Sequence, residues 1–248
     1  MSTIAVQTHG NIGVLQFSNG VTNAIGSALI RDLAEALEEV RGRFRGCVLA
    51  GGEKFFSIGL DLPALLSLDR GEMDRFWDRF DQVVLDLYEM PLPTAAAIEG
   101  HATAGGTILA LTADYRYISR GRRLMGLNEI NIGVPVPFLA DLMLRQIVGD
   151  RSATEMLYRG ELMEPTAAHR IGLVDGICDA GEAVACAVKA IEPLAAKSST
   201  AFRIVKENRI AAVRQTFEKH RQAKKERMLD CWFLPEVQEL LRQAAEKF

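Results

Sequence analysis

Apolar positions in the first half of the chain alternate between the two-residue rhythm of strands and the 3.6-residue rhythm of helices. Thr3 to Thr8 and Ile12 to Phe17 are short β-rich runs parted by Gly10 and Asn11, which predicts a hairpin. Ser18 to Gly26 reads as a loop. Ser27 then caps a predicted helix over Ala28 to Val40, with Leu29, Leu33, Ala36, Leu37 and Val40 on one face. Gly46 to Ala50 predicts a buried strand that ends at Gly51-Gly52. Asp61 to Leu68 predicts a helical turn, and Glu72 to Tyr88 a longer amphipathic helix closed by Pro91-Leu-Pro. Thr94 to Ile98 is a second buried strand, Gly105 to Leu111 a short apolar helix, and Asp114 to Ser119 a further strand. Strand, glycine turn, helix and strand thus recur, which points to stacked ββα units in an α/β protein.

From Pro137 onward the pattern is helical. Helices are predicted over Phe138 to Val148, Arg151 to Tyr158, Pro165 to Ile171, Glu182 to Ala196, Ser198 to Asn208, Ala211 to Leu229 and Pro235 to Phe248. A soft boundary falls near residue 196, dividing a core at 1–196 from a helical region at 197–248.

Composition narrows the class. Of 248 residues, 48% are hydrophobic and 25% charged, an ordinary globular mix. The net charge of −3 exerts no global pull on nucleic acid or an anionic membrane. Cys47, Cys178, Cys186 and Cys231 form no C-x-x-C pair, and His9, His101, His169 and His220 are scattered, so no metal site is expected. The longest uncharged stretch near the middle, Gly100 to Ala113, is too short to span a bilayer and carries three glycines and a histidine. No secretory pattern opens the sequence and Glu-Lys-Phe at its end is not a peroxisomal address, so a reducing, cytoplasmic setting is the simplest expectation.

Three glycine-bearing segments carry the candidate chemistry: Phe56-Ser-Ile-Gly-Leu-Asp-Leu62, Gly100-His-Ala-Thr-Ala-Gly-Gly-Thr107 and Gly126-Leu-Asn-Glu-Ile-Asn-Ile-Gly133. Turns at helix starts leave backbone N–H groups free, and two aimed at one point make an oxyanion hole. Any one segment alone reads better as a tight turn. Their order resembles the crotonase superfamily, the enoyl-CoA hydratase and isomerase group. The resemblance runs from Asn23-Ala24-Ile25 to Ile171-Gly-Leu-Val-Asp175.

That resemblance implies a crotonase-like spiral of ββα units, C-terminal helices that build a homotrimer or hexamer, and an acyl-CoA thioester substrate. Coenzyme A is then part of the substrate and no separate cofactor is implied. The family's oxyanion donors carry over to the N–H groups of Leu60 and Gly105. Of the two glutamates a hydratase uses, one falls at Ile108 and the other matches Glu129. An isoleucine neither holds a water nor moves a proton, so the pattern favours a double-bond shift. Gly59-Leu-Asp-Leu62, Gly126-Leu-Asn-Glu129 and Leu111-Thr-Ala-Asp-Tyr-Arg116 resemble the Δ3,Δ2-enoyl-CoA isomerase branch, which serves fatty-acid β-oxidation. The implied substrate-binding residues are Ala24, Ser57, Ile58, Gly59, Asp61, Leu62, Gly106, Ile108 and Asn128. Asn128 either orients Glu129, contacts the thioester or is a turn residue. Ile58 stands where alanine is usual, which narrows the channel, and Ala104 replaces a frequent glycine.

Other readings remain open at this level. Hydratase or another crotonase chemistry is one, and a non-catalytic acyl-CoA-binding protein a second. Ser57 with a histidine as a nucleophile pair lacks a G-x-S-x-G elbow. The basic stretch Arg203 to Arg227 reads first as a solvated helix face. It also offers Lys206 to the CoA phosphates, or a face to RNA, against which the acidic balance and the lack of interleaved aromatics weigh.

Overall fold

The computed structural model describes residues 2–246. Strands β1 (Ile4–His9) and β2 (Ile12–Phe17) form the expected hairpin, with Ile4 opposite Phe17 and Gly10 at φ +59° in the turn. Helix α1 (Ser27–Arg43) follows. Ser27 is its first residue and not its cap; Gly26 holds the cap position without a side-chain bond. Strand β3 (Gly46–Ala50) leads to β4 (Phe55–Ser57), the short helix α2 (Leu62–Leu65) and α3 (Arg70–Tyr88). Helix α3 starts two residues earlier than the apolar pattern predicts because Asp69 and Glu72 form a capping box. Next come β5 (Thr94–Ile98), β6 (His101–Thr103), α4 (Gly105–Leu111), β7 (Tyr115–Ser119), β8 (Met125–Gly126) and a 3₁₀ turn at Glu129–Ile132. The remainder is α5 (Phe138–Arg159), α6 (Pro165–Arg170), β9 (Gly176–Cys178), α7 (Ala183–Ala195), α8 (Ser199–Trp232) and α9 (Pro235–Ala245).

Six strands form one sheet in the order β1-β2-β3-β5-β7-β9, parallel throughout except for the hairpin. Its inner strands β3 and β5 are buried at every residue, as parallel strands covered on both faces require. Val48, Ala95 and Ala97 on one face meet Ala183, Ala187 and Ile191 of α7. Leu49, Ala96 and Ile98 on the other face join the larger core under α1 and α3. Three short strands, β4, β6 and β8, make a second parallel sheet. The successive pairs β3 and β4, β5 and β6, and β7 and β8 therefore each contribute one strand to each sheet.

One helical expectation changes. The predicted break between Asn208 and Ala211 is absent: α8 runs unbroken for 34 residues, because no Gly or Pro interrupts it and Ile210, Val213 and Phe217 keep an inward stripe. The expected break after Val148 is present, with Gly149 at φ +77° dividing α5. The expected end of the last helix at Phe248 lies outside the described residues. The line drawn at residue 196 does not part the interior, since Val213, Phe217, Met228, Trp232 and Leu241 share one apolar cluster with Leu29, Phe80 and Ile108. No helix among the described residues is long and apolar enough to cross a membrane.

Candidate active site

Strands β4 and β6 run side by side, with Phe55 opposite His101 and Ser57 opposite Ala102, and each ends in a turn. After β4, Gly59 takes φ +106°, and its N–H donates to Ser57 Oγ at 3.2 Å. Ile25 straddles the next residue. Its N–H donates to Gly59 O at 2.7 Å and its carbonyl accepts from Asp61 N at 3.1 Å. That pairing directs the N–H of Leu60 to the opposite side, where it finds no acceptor among the described residues.

After β6, Ala104 adopts φ +49°, ψ −120° as the cap of α4. A non-glycine residue held there stores on the order of 1–3 kcal/mol, and such strain clusters at functional sites. The N–H of Gly105, first residue of α4, is one of the donors a helix start leaves unpaired. The two turns touch. A Cβ built on Gly59 would lie 3.0 Å from Gly105 N, and one on Gly106 would lie 2.2 Å from Ser57 O. Glycine at 59 and 106 is therefore what lets the two amides approach.

The carboxylate arrives from the third turn of the spiral. β8 pairs with β6, and Thr107 Oγ1 locks α4 to it by accepting from Gly126 N at 3.0 Å and donating to Ala102 O at 2.6 Å. The chain then enters the 3₁₀ turn, closed by Gly133 at φ +79° and by Val134 N donating to Glu129 O at 3.2 Å. Glu129 is 6% exposed and neither carboxylate oxygen has a hydrogen-bond partner. Burial pushes its pKa up to about 7. The neighbouring Asn128 Oδ1 is likewise buried and unpartnered.

Leu60, Gly105 and Glu129 line one cavity of about 400 Å³. Ile58, Leu62, Ile108 and Asn128 line the same cavity, and among its lining residues Glu129 is the one carboxylate. Ala24, Ser57, Gly59, Asp61 and Gly106 do not line it. Ser57 Oγ donates to Asn23 O at 2.7 Å, so it shapes the turn and is not free as a nucleophile. Asp61 caps α2 by accepting from Ala64 N at 3.2 Å. Ala24 is buried.

Residues far along the chain complete the wall, and the local motifs did not point to them: Trp77 and Phe80 from α3, Met228 and Trp232 from α8, and Ala244 from α9. The one signal in the sequence that could point to part of this wall is the aromatic spacing Phe76, Trp77 and Phe80 in α3. His101 also lines the cavity; its Nδ1 accepts from Leu124 N at 3.0 Å, and burial with nearby Arg123, Arg122 and Lys54 lowers its pKa. Lys206 is corrected: its Nζ turns inward to Asp114 at 2.9 Å, with Leu92 O and Thr94 Oγ1 at 3.4 Å, and is closed to a phosphate.

A ββα spiral that brings two unpaired main-chain amides and one buried carboxylate to a single cavity has the crotonase fold. Comparison with known proteins agrees: the family described as enoyl-CoA hydratase/isomerase matches residues 7–247, and the chain belongs to it. It is 31% identical to human mitochondrial enoyl-CoA delta isomerase 1 over 73% of this chain and 61% of that protein. It is 33% identical to enoyl-CoA delta isomerase 3 of Arabidopsis thaliana over 68% of this chain and 74% of that one. The chain thus spans about three-fifths of the length of its human and rat relatives. The crystal structure of human mitochondrial delta3-delta2-enoyl-CoA isomerase superposes with a TM-score of 0.94 at 27% identity, covering 99% of this chain and 97% of that one.

Proposed function

We propose that the protein is an enoyl-CoA isomerase that converts a 3-enoyl-CoA to the conjugated 2-enoyl-CoA. The thioester oxygen sits between the N–H groups of Leu60 and Gly105. Glu129, ionised, takes a proton from C2. The electron pair delocalises over the dienolate, with its charge on the oxygen at the two amides. Glu129 then returns the proton at C4, leaving the double bond between C2 and C3. Losing one such amide donor costs roughly 2.7–4 kcal/mol of transition-state stabilisation. The observation that carries the reading is the lone carboxylate: Glu129 is on the cavity wall, and Ile108 of α4 offers no second group to hold and activate a water. The relatives named delta isomerase support it. Association of copies into a trimer or a pair of trimers belongs to the same proposal.

A panel of 2-enoyl and 3-enoyl thioesters of several chain lengths tests it. The 3-enoyl forms gain conjugated-thioester absorbance, and 2-enoyl forms are not hydrated. Glu129→Gln lowers turnover by at least about 10²–10⁴-fold, the usual worth of a positioned base, while CoA-thioester binding persists. Retained turnover in that variant overturns the assignment.

A further inference from the structure

A second cavity, of about 570 Å³, adjoins the first, and Trp77, Val134 and Met228 belong to the walls of both. Its apolar surface includes Phe138 of α5 and Phe217 of α8. Its charges are unevenly matched. Asp141 is held by Arg145 at 2.8 and 2.7 Å, and Lys225 by Asp74 and Asp78, each at 2.7 Å. Arg221, Lys224 and Arg227 also line the cavity, and among the described residues none of the three forms an ion pair. Arg221 lies 5.4 Å over the Phe217 ring and Lys224 Nζ 4.8 Å over Phe138, so two of these cations rest on the aromatic wall. The remaining carboxylate is Asp81, which burial pushes up to about 7 against the pull of Arg221 and Lys225. Three cations without an ion-pair partner, half-buried Arg221 and the exposed Lys224 and Arg227, therefore border an apolar space beside the buried Asp81. The activity proposed above uses none of these groups.

We infer that this second cavity binds the carboxylate end of an aliphatic chain. An apolar stem satisfies the aromatic wall, and an anion satisfies Arg221 and Lys224. Such a carboxylate has two sources: the far end of the substrate's own acyl chain, passing the flexible unbranched Met228, or a separate fatty acid. The first source rests on the acyl-thioester reading and the second does not.

The chain has two tryptophans; Trp77 lines both cavities and Trp232 the first, so intrinsic fluorescence reports occupancy without turnover. Dodecanoate is expected to shift the emission and to bind about tenfold more tightly than dodecanol, the gain of a hydrogen bond to a charged partner. The double variant Arg221→Gln, Lys224→Gln loses that preference, while circular dichroism and isomerisation of 3-hexenoyl-CoA stay as in the parent. If the substrate tail is the source, a dodecenoyl thioester ending in carboxylate has a KM about tenfold below its methyl-ended counterpart in the parent only. If a separate fatty acid is the source, dodecanoate binds undiminished with 3-hexenoyl-CoA present. Equal affinity for dodecanoate and dodecanol, or no loss in the double variant, overturns the inference. So does a double variant that dissociates an oligomer with dodecanoate binding unchanged, which would make the cavity a contact between copies. Failure of 3-hexenoyl-CoA turnover in the parent would refute the isomerase proposal alone.

Discussion

Glu129 concentrates the tension between stability and chemistry in one side chain. Its pKa of about 7 lies above the ordinary glutamate value because burial penalises the charge. In the proposed isomerisation the base is the carboxylate, so kcat/KM is expected to fall about tenfold per pH unit below about 7 and to level off above about 8. A pH–rate profile on a 3-enoyl-CoA checks this. The same shift acts on folding with the opposite sense. The folded state holds the Glu129 proton more tightly than the unfolded chain does, so this group's contribution is fully present below pH 4.5 and is lost as pH rises through 7. Glu129→Gln removes the buried charge and is expected to stabilise the protein at pH 8 by up to roughly 3 kcal/mol, with little change at pH 4. Melting temperatures of the two proteins at both pH values decide it. Glu129 and Asn128 could be singled out from their motif, but their lack of partners could not. That depends on what the fold does not place beside them.

At the scale of elements, the site depends on two turns in contact more than on any side chain. Gly106 lies on α4, and its Cα faces the Ser57 carbonyl so closely that an added methyl would stand 2.2 Å away. Backbone cannot yield as a side-chain tip does, so Gly106→Ala is expected to push α4 from β4 and separate the amides of Leu60 and Gly105. Overpacking of this kind costs about 1–3 kcal/mol. The expected result is a lower melting temperature together with at least a tenfold loss of kcat/KM. Gly42→Ala in α1, where a methyl meets nothing within 4 Å, serves as the control and keeps full activity. The longer elements were readable because their apolar period persists over many residues. Strands β4, β6, β8 and β9 leave no pattern in the sequence because two or three residues do not establish a period. The uninterrupted α8 was split in two, since its middle is polar outside and its inward stripe is sparse.

Across the whole molecule, α8 and α9 are continuous with the spiral. Met228, Trp232 and Ala244 wall the cavity with Leu60 and Glu129, and Lys206 ties α8 to Asp114 beside β7. Calorimetry is therefore expected to show one unfolding transition and not separate ones for 1–196 and the helical region. Lys206→Ala is expected to lower that transition as a unit, by at most the roughly 3–5 kcal/mol of a fully buried pair, because Asp114 keeps a side-chain exposure of 25%. A split transition would restore the boundary near 196. The order of the three glycine segments in the amino-acid string, through its resemblance to a known family, was sufficient to indicate the fold class and the family. The motifs that carry it are local: a turn needs glycine, and a side chain either can or cannot carry a proton. The burial of Glu129 without a hydrogen-bond partner, the inward turn of Lys206, and the cavity shared by α3, α8 and α9 were decided only by tertiary packing. Burial and pairing join residues more than a hundred positions apart, and no spacing along the chain encodes which of them meet.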